Sequence, residues 1–410
     1  MRAFVVVSAA AYVATVAMAL LYRHRFFAIF AGVILGIHLL STALIEPTLS
    51  GYGLPIEIGL WYAQLATFVY FFRFGRSTSP SWPYRVFVSW PASWFSVSSY
   101  LALPWAVAAA LGFSLWAPFL PFAVAAFGFM QSSFTRREKR RILLDGTDAG
   151  PLGRHEHRIR TFVRTISEEH RPLRIVQISD PHLGPFMSEK RLYEICERAV
   201  AEKPDLILLT GDFLTVESQS SPDPLARSLA PLSAMKGRVF ACFGNHDHEC
   251  PELIDDALRR ADVELLLDRA VNVDLPWGPV QIVGADHRFR KRKEALTALA
   301  RAHPREEGRL RLWLLHDPGA FEHLPEGEAD LVLSGHTHGG HVGLLSIGLP
   351  HTIVSAATSM PDHGLWARGR DRLYVHRGTG HYGFPLRVGV PAEESVLEVY
   401  VAAPSAPMSP

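Results

Sequence analysis

The hydrophobic pattern of the chain changes character once. No charged residue appears from Ala3 to Tyr22, and after Arg23-His24-Arg25 residues 26–45 are again free of charge. About twenty apolar residues let a helix cross the hydrocarbon of a bilayer. A third run, 58–72, is shorter and aromatic-rich and ends at Arg73, and residues 86–135 hold no charge at all. That last stretch is long enough for two helices with a break between Pro104 and Gly112, so the pattern predicts five spans. A cleaved leader is the competing reading of residues 1–22. It is disfavoured by the apolar runs that follow and by the lack of a clear small-residue cleavage site.

Beyond residue 141 the pattern is that of a soluble protein. Residues 142–170 are polar and read as a linker with a first strand. Apolar strands are then predicted at 173–179, 205–209 and 239–243, alternating with helices at 189–201, 224–235 and 251–261. The first of these helices sets Leu192, Ile195, Cys196 and Ala199 on one face. Strands then come closer together, at 271–275, 280–283, 310–315, 330–333, 352–355, 373–376 and 395–401. Alternating β and α first, and more β later, predicts a layered α/β domain of two sheets. The expected division is a membrane domain over 1–135, a basic stop and linker over 136–170, a catalytic domain over 171–402 and a tail over 403–410.

Charge sharpens this division. Of 41 Lys and Arg and 40 Asp and Glu, only Arg2, Arg23, Arg25, Glu46, Glu57, Arg73, Arg76 and Arg85 precede residue 136. Cytoplasmic loops collect Lys and Arg. The basic residues of the first and third loops and the cluster Arg136-Arg137-Glu138-Lys139-Arg140-Arg141 fall on one side only if the span count is odd. Five spans therefore predict a multi-pass protein of the cell membrane with its soluble domain in the cytoplasm; a single kinked span over 86–130 would reverse it. The formal net charge of +1 excludes a strongly basic nucleic-acid binder. Three cysteines are too few for a disulfide framework. Cys242 and Cys250 invite a zinc-site reading, but Cys242 lies inside an apolar strand and reads as core.

All but two of the 19 histidines lie in the soluble part, and several fall where predicted strands end. Strand 173–179 runs into Asp180-Pro181-His182, and 205–209 into Gly211-Asp212. Strand 239–243 runs into Gly244-Asn245-His246-Asp247, 310–315 into His316-Asp317, and 330–333 into Gly335-His336-Thr337-His338. Sites in open α/β sheets form outside the carboxyl ends of strands. Carboxylate, imidazole and amide oxygens together suit divalent first-row metals, and seven donors are too many for one tetrahedral ion. His155, His157, His303, His323, His351, His363 and His376 read as structural or surface residues. The run from His287 to Lys293 reads equally as an anion-binding stretch, for pyrophosphate or anionic lipid headgroups, and as a solvated helix start.

These five blocks, in this order, resemble the signature of calcineurin-like metallophosphoesterases over about residues 170–400. Arg377-Gly378-Thr379-Gly380, Pro385-Leu386-Arg387 and Glu394 look like the branch with membrane-anchored members, which includes UDP-2,3-diacylglucosamine pyrophosphatases of lipid A biosynthesis. His341 stands where that branch commonly has Gln. The resemblance implies an αββα sandwich and two divalent ions, with Mn favoured and Fe or Zn admitted. One ion is assigned to Asp180, His182, Asp212 and His338, and the other to Asp212, Asn245, His316 and His336, with Asp212 bridging. Two cations so placed acidify a shared water and neutralise the phosphate.

The same resemblance leaves His246 free of metal, as the group that protonates the leaving oxygen. Asp247 would orient His246 or cap the next helix, and His248 and His341 are candidate substrate contacts. The expected activity is hydrolysis of a phosphodiester or pyrophosphate bond in a lipid-linked or nucleotide–lipid substrate at the bilayer surface. A tethered enzyme with a soluble substrate is the second reading. A non-catalytic scaffold is the third, and it predicts lost ligands where every ligand position is filled.

Overall fold

The computed structural model describes residues 3–22, 25–73, 80–155, 171–383 and 386–401. Arg23, Arg76, His157 and the rest of 156–170, Pro385 and the 403–410 tail lie outside these. Two compact units emerge: residues 1–133 with 383–388, and residues 134–382 with 389–410.

The first unit is helical: α1 (Ala3–Tyr22), α2 (Arg25–Ser50), α3 (Leu54–Arg73), α4 (Trp82–Tyr84), α5 (Trp90–Leu101), α6 (Leu103–Ala110) and α7 (Leu120–Ser132). A π-helical turn, Arg85–Ser89, joins α4 to α5. Among the described residues two helices, Ala3–Tyr22 and Phe27–Ser50, are long and apolar enough to cross a membrane. The third is as long as the first but carries Glu57 and Gln64. Polar side chains tie the bundle together. His38 Nδ1 meets Ser99 Oγ at 2.7 Å and its Nε2 meets Gln64 Oε1 at 3.0 Å, joining α2, α5 and α3. Interhelical hydrogen bonds of this kind hold helices together where burial of apolar surface gives no preference.

The second unit opens with a departure from expectation. The basic cluster is not a stop and linker but strand β1 (Thr135–Leu144), which pairs in parallel with the last strand, β13 (Ala392–Val401), from Thr135↔Ala392 to Leu144↔Val401. Alternation explains it: Arg137, Lys139 and Arg141 alternate with Glu138, Arg140 and Ile142, and Glu138 is buried on Arg377, 2.5 Å from its guanidinium. A run that reads as a charged terminus is a strand edge with one satisfied inner carboxylate.

Further strands are β2 (Gly153–Arg154), β3 (Leu173–Ile178), β4 (Leu206–Leu209), β5 (Val239–Ala241), β6 (Glu264–Leu265), β7 (Arg269–Leu275), β8 (Gly278–Gly284), β9 (Leu310–Leu314), β10 (Leu331–Ser334), β11 (Gly364–Arg368) and β12 (Asp371–Val375). They form a six-stranded sheet, β1-β13-β3-β4-β5-β6, and a seven-stranded sheet, β2-β11-β12-β10-β9-β8-β7. Leu173, Ile175, Leu206 and Leu208 of the first sheet pack on Ile282, Leu312, Leu331 and Leu333 of the second. The opposite face of the first sheet, with Val176, Ile178 and Ile207, is covered by α8 (Glu189–Ala201), α9 (Asp223–Leu229) and α10 (Pro251–Arg260). The second sheet buries Trp313 and Val332 under Leu296 and Leu299 of α11 (Arg292–Ala302).

Strands covered on both faces read as continuous apolar runs, as 206–209 does. The expected strand at 352–355 is instead the start of α12 (Ile353–Ala357). Thr352 accepts from Ser355 N while Ser355 Oγ accepts from Thr352 N, a reciprocal cap that supplies partners to the first turn.

Candidate metal centre

The parallel strands β3, β4, β5, β9 and β10 deliver their carboxyl-end residues to one place. Asp180, His182 and His338 form one group and Asp212, His316 and His336 another, the donor atoms within each lying within 4.8 Å of one another. His338 Nε2 lies 3.4 Å from an Asp180 oxygen. His336 Nδ1 is 3.2 Å from His316 Nε2, and Asn245 Oδ1 is 3.3 Å from the same nitrogen. Asp212 Oδ2 lies 3.6 Å from His182 Nε2 and 3.3 Å from His316 Nε2, so one carboxylate stands between the groups.

The backbone is bent sharply to achieve this. Asp180, His182, Asp212, His336 and His338 all have φ between 44° and 69°. Non-glycine residues rarely adopt that region, and such outliers gather where function demands them. Two glycines make room. A Cβ on Gly244 would collide with the Asp212 carboxylate and the His316 ring, and one on Gly335 with Ser179 and Asp180.

Hydrogen bonds from behind fix two of the donors, His316 and Asp180. His316 Nδ1 lies 2.6 Å from the Thr210 carbonyl, which can only accept, so the proton sits on Nδ1 and Nε2 is turned to the centre. A buried relay runs from Gln177 through Thr210 and Ser179 to Asp180, with distances of 2.9, 2.7 and 2.5 Å. The Asp247 carboxylate neither orients His246 nor caps the next helix. It accepts from the backbone N–H groups of Asp212, Phe213 and Gly244 at 2.7–2.8 Å, tying the second strand-end loop to the third. The partner of His246 is Glu249, whose Oε1 is 2.9 Å from His246 Nδ1. Tyr382 stacks on the same imidazole with ring centroids 3.9 Å apart.

Electrostatics follow from these contacts. Burial pushes the Asp180 carboxyl up to about 6 and lowers His182 to about 3 and His336 to about 4. Burial works against the charged forms of Asp212 and His316 too, but their mutual attraction wins. Asp212 is held well below the carboxylate range and His316 rises to about 10. For His246 burial is outweighed by Glu249 and Asp212, and the pKa is raised. Perturbed groups of opposite sign packed at strand ends mark a functional site.

The donor set fits divalent cations. It consists of hard and borderline oxygen and nitrogen atoms with no thiolate. His182 Nε2, buried and facing Asp212, has no hydrogen-bond partner among the described residues. Cys242 is fully buried in the core between the sheets and Cys250 packs against the helical face, so neither belongs to the two donor groups.

The two candidate substrate contacts lie differently. His341 sits with its ring 5.0 Å from that of His338, whereas His248 is paired with Asp286 at 3.0 Å. Within the basic run, Arg288 is paired with Asp268 and Arg292 with Asp317, the latter at 2.5 Å. Arg377-Gly378-Thr379-Gly380 lies against the first strand end. Thr379 N donates to Ser179 O and Gly380 N to Asp180 O. Glu394 holds Arg198 at 2.7 Å, a support for β13 rather than a site group. Two residues near the centre, Glu249 and Tyr382, carry no signal in the sequence, while His287 is legible there only as the first residue of the basic run 287–293. Its place after a strand end, at Gly284-Ala285-Asp286, is what the charge of that run obscures.

Comparison with known proteins places this geometry. Residues 173–340 match the calcineurin-like phosphoesterase family. The phosphodiesterase YaeI of Escherichia coli K12 is 30% identical over 234 residues, 56% of this chain and 82% of that protein. The UDP-2,3-diacylglucosamine pyrophosphatase LpxG of Chlamydia muridarum is 27% identical over 263 residues, 51% of this chain and 78% of that one. An uncharacterized metallophosphoesterase of Helicobacter pylori strain J99 is 27% identical, with 55% of this chain aligned to 60% of that protein. The chain therefore belongs to the calcineurin-like phosphoesterase family and is a metal-dependent phosphoesterase.

Proposed function

We propose that the chain is a two-metal phosphohydrolase acting at a membrane surface on a phosphodiester or pyrophosphate bond of a lipid-linked substrate. The observation that carries this reading is the Asp212 carboxylate standing between two donor groups, 3.6 Å from one imidazole and 3.3 Å from another. A carboxylate so placed can hold two cations together. Asp180, His182, Asp212 and His338 would ligate one ion, and Asp212, Asn245, His316 and His336 the other, with Mn²⁺ favoured and Fe or Zn admitted by the donor types. When bound, two divalent cations supply positive charge for the phosphate oxygens and acidify water.

The chain's own residues do the rest. Thr210 O and the Gln177–Thr210–Ser179 relay keep His316 and Asp180 pointed at the centre. Glu249 accepts a hydrogen bond from Nδ1 of His246 and stabilises the protonated ring, and Tyr382 stacks on its face. Nε2 is then left to hand a proton to the leaving oxygen.

The lipid-linked substrate is supported by the apolar N-terminal helices and by the Chlamydia relatives, which are named for a diacylated nucleotide sugar. On detergent-dispersed UDP-diacylglucosamine the full chain is expected to show kcat/KM at least about tenfold above that on soluble diesters. That factor corresponds to ~1.4 kcal/mol of extra transition-state binding. Higher efficiency on the soluble esters would support the second reading, a tethered phosphodiesterase of a soluble substrate; the E. coli relative is named a phosphodiesterase.

The helical unit, in this reading, crosses the membrane five times and leaves the catalytic unit in the cytoplasm. A reporter active only inside, fused after Pro410, is expected to give signal in cells. Signal from an outside-only reporter instead would mean an even number of spans.

A further inference from the structure

A sixth strand end reaches the centre. Strand β8 ends at Gly284, and three residues later His287 is buried, only 9% exposed, with its ring 6.1 Å from His316 and 6.2 Å from His336. Neither of its ring nitrogens has a hydrogen-bond partner among the described residues. It belongs to neither donor group, and the neighbouring carboxylate, Asp286, is paired with His248. The edge of Phe289 holds the ring in place, with centroids 4.6 Å apart at 82°. A small cavity reaches it, lined among others by His287, Arg288, Arg292, His316 and Asp317. A buried polar group without a partner is costly, and in native proteins such a group is accounted for by a functional role or by a water or ion that completes the bond.

The loop behind His287 is basic. Arg288 and Arg292 are neutralised by Asp268 and Asp317, but exposed Arg290, Lys291 and Lys293 have no ion-pair partner among the described residues. His246 lies elsewhere, with its ring 5.7 Å from that of His182 in the other donor group. His246 and His287 thus attend different halves of the centre.

We propose that His287 and the basic loop after it form a subsite for a second anionic phosphoryl group of the substrate, adjacent to the one that is cleaved. An imidazole N–H donates to a phosphoryl oxygen, and the unpaired cations of the loop supply the field that favours a doubly charged ligand. This rests on the phosphohydrolase reading above and narrows it from phosphodiesters in general toward substrates with two adjacent phosphoryl groups.

The test uses the full chain in detergent, loaded with Mn²⁺, and two non-hydrolysable probes: a methylene-bridged bisphosphonate diester and an alkylphosphonate monoester. Dissociation constants are measured by calorimetry, so the result does not depend on turnover. Wild type is expected to bind the bisphosphonate at least about tenfold more tightly, the usual order for a hydrogen bond to a charged group. In His287→Ala the gap should close to about twofold, and His287→Gln, which keeps an N–H donor, should restore part of it. Metal content should stay at two ions per chain in all three proteins.

Equal affinity of wild type for the two probes, or an undiminished gap in His287→Ala, overturns the subsite. Loss of a metal ion in His287→Ala overturns it as well, because His287 would then be a ligand. Failure of the phosphohydrolase reading shows separately, as a wild-type protein that hydrolyses no phosphoester with either diester or pyrophosphate substrates.

Discussion

Asp212→Asn is expected to abolish hydrolysis, with kcat down by at least about 10⁴-fold, or ~5.5 kcal/mol of barrier. Asp212 faces both donor groups, with His182 on one side and His316 on the other, and its N–H is fixed by Asp247. Its charge is also what holds His316 protonated when the site is without cations. An amide keeps the shape but loses the negative charge that lets two cations approach each other, so the variant should hold at most one ion per chain. His182→Ala removes a donor from one group only, and its loss should be smaller, about 10- to 100-fold, on the scale of weakened metal binding. Metal analysis and kcat measured on the same preparations decide the matter. Equal residual activity in the two variants, each with one ion bound, would mean that Asp212 does not bridge.

The second large effect is expected at His246 and depends on the leaving group. Its Nδ1 is engaged by Glu249 and its face by Tyr382, while it supplies no donor atom to either group. Replacement by alanine should therefore leave two ions in place. An alkoxide leaving group has a high pKa and needs a proton as its bond breaks, whereas a nitrophenolate departs without one. His246→Ala should lose up to about 10⁴-fold on alkyl esters and far less on nitrophenyl esters, since general acid catalysis is worth ~10²–10⁴. Glu249→Gln should show the same discrimination in weaker form, because it removes the charge that raises the His246 pKa. A uniform loss on both esters would reduce His246 to a group that holds phosphate charge. A missing ion would instead place it among the ligands.

Local sequence carried much of this. The apolar run 206–209 reads as a strand because it is covered on both faces. The donors that follow each strand are visible because a strand end and its glycine turn are contiguous in sequence. The two glycines that make room, Gly244 and Gly335, sit inside the motifs themselves. The reciprocal cap Thr352–Ser355 is also local, but the β-branched run Thr352-Ile353-Val354 within it reads as a strand.

Other features depend on partners far away in the chain. The cluster 136–141 became a strand only because residues 392–401 offer it a backbone to pair with, more than 250 positions on. Its charges belong to an edge, and nothing within the cluster says so. Which carboxylate serves His246 depended on one 3₁₀ turn, Asp247–Glu249. That turn brings residue i+3 back to the ring and sends Asp247 into the backbone of residues 212, 213 and 244. His287 sits in a run whose charge dominates its neighbourhood in sequence, and only packing against His316 and His336 separates it from that run.

The sequence by itself determined which residue types stand at the strand ends and that the first third is apolar, because both are properties of contiguous residues. The tertiary structure alone decided which side chains face one another across strand ends. Such meetings are set by sheet order and register, which join segments up to 259 residues apart, as in the bond between Thr135 and Glu394.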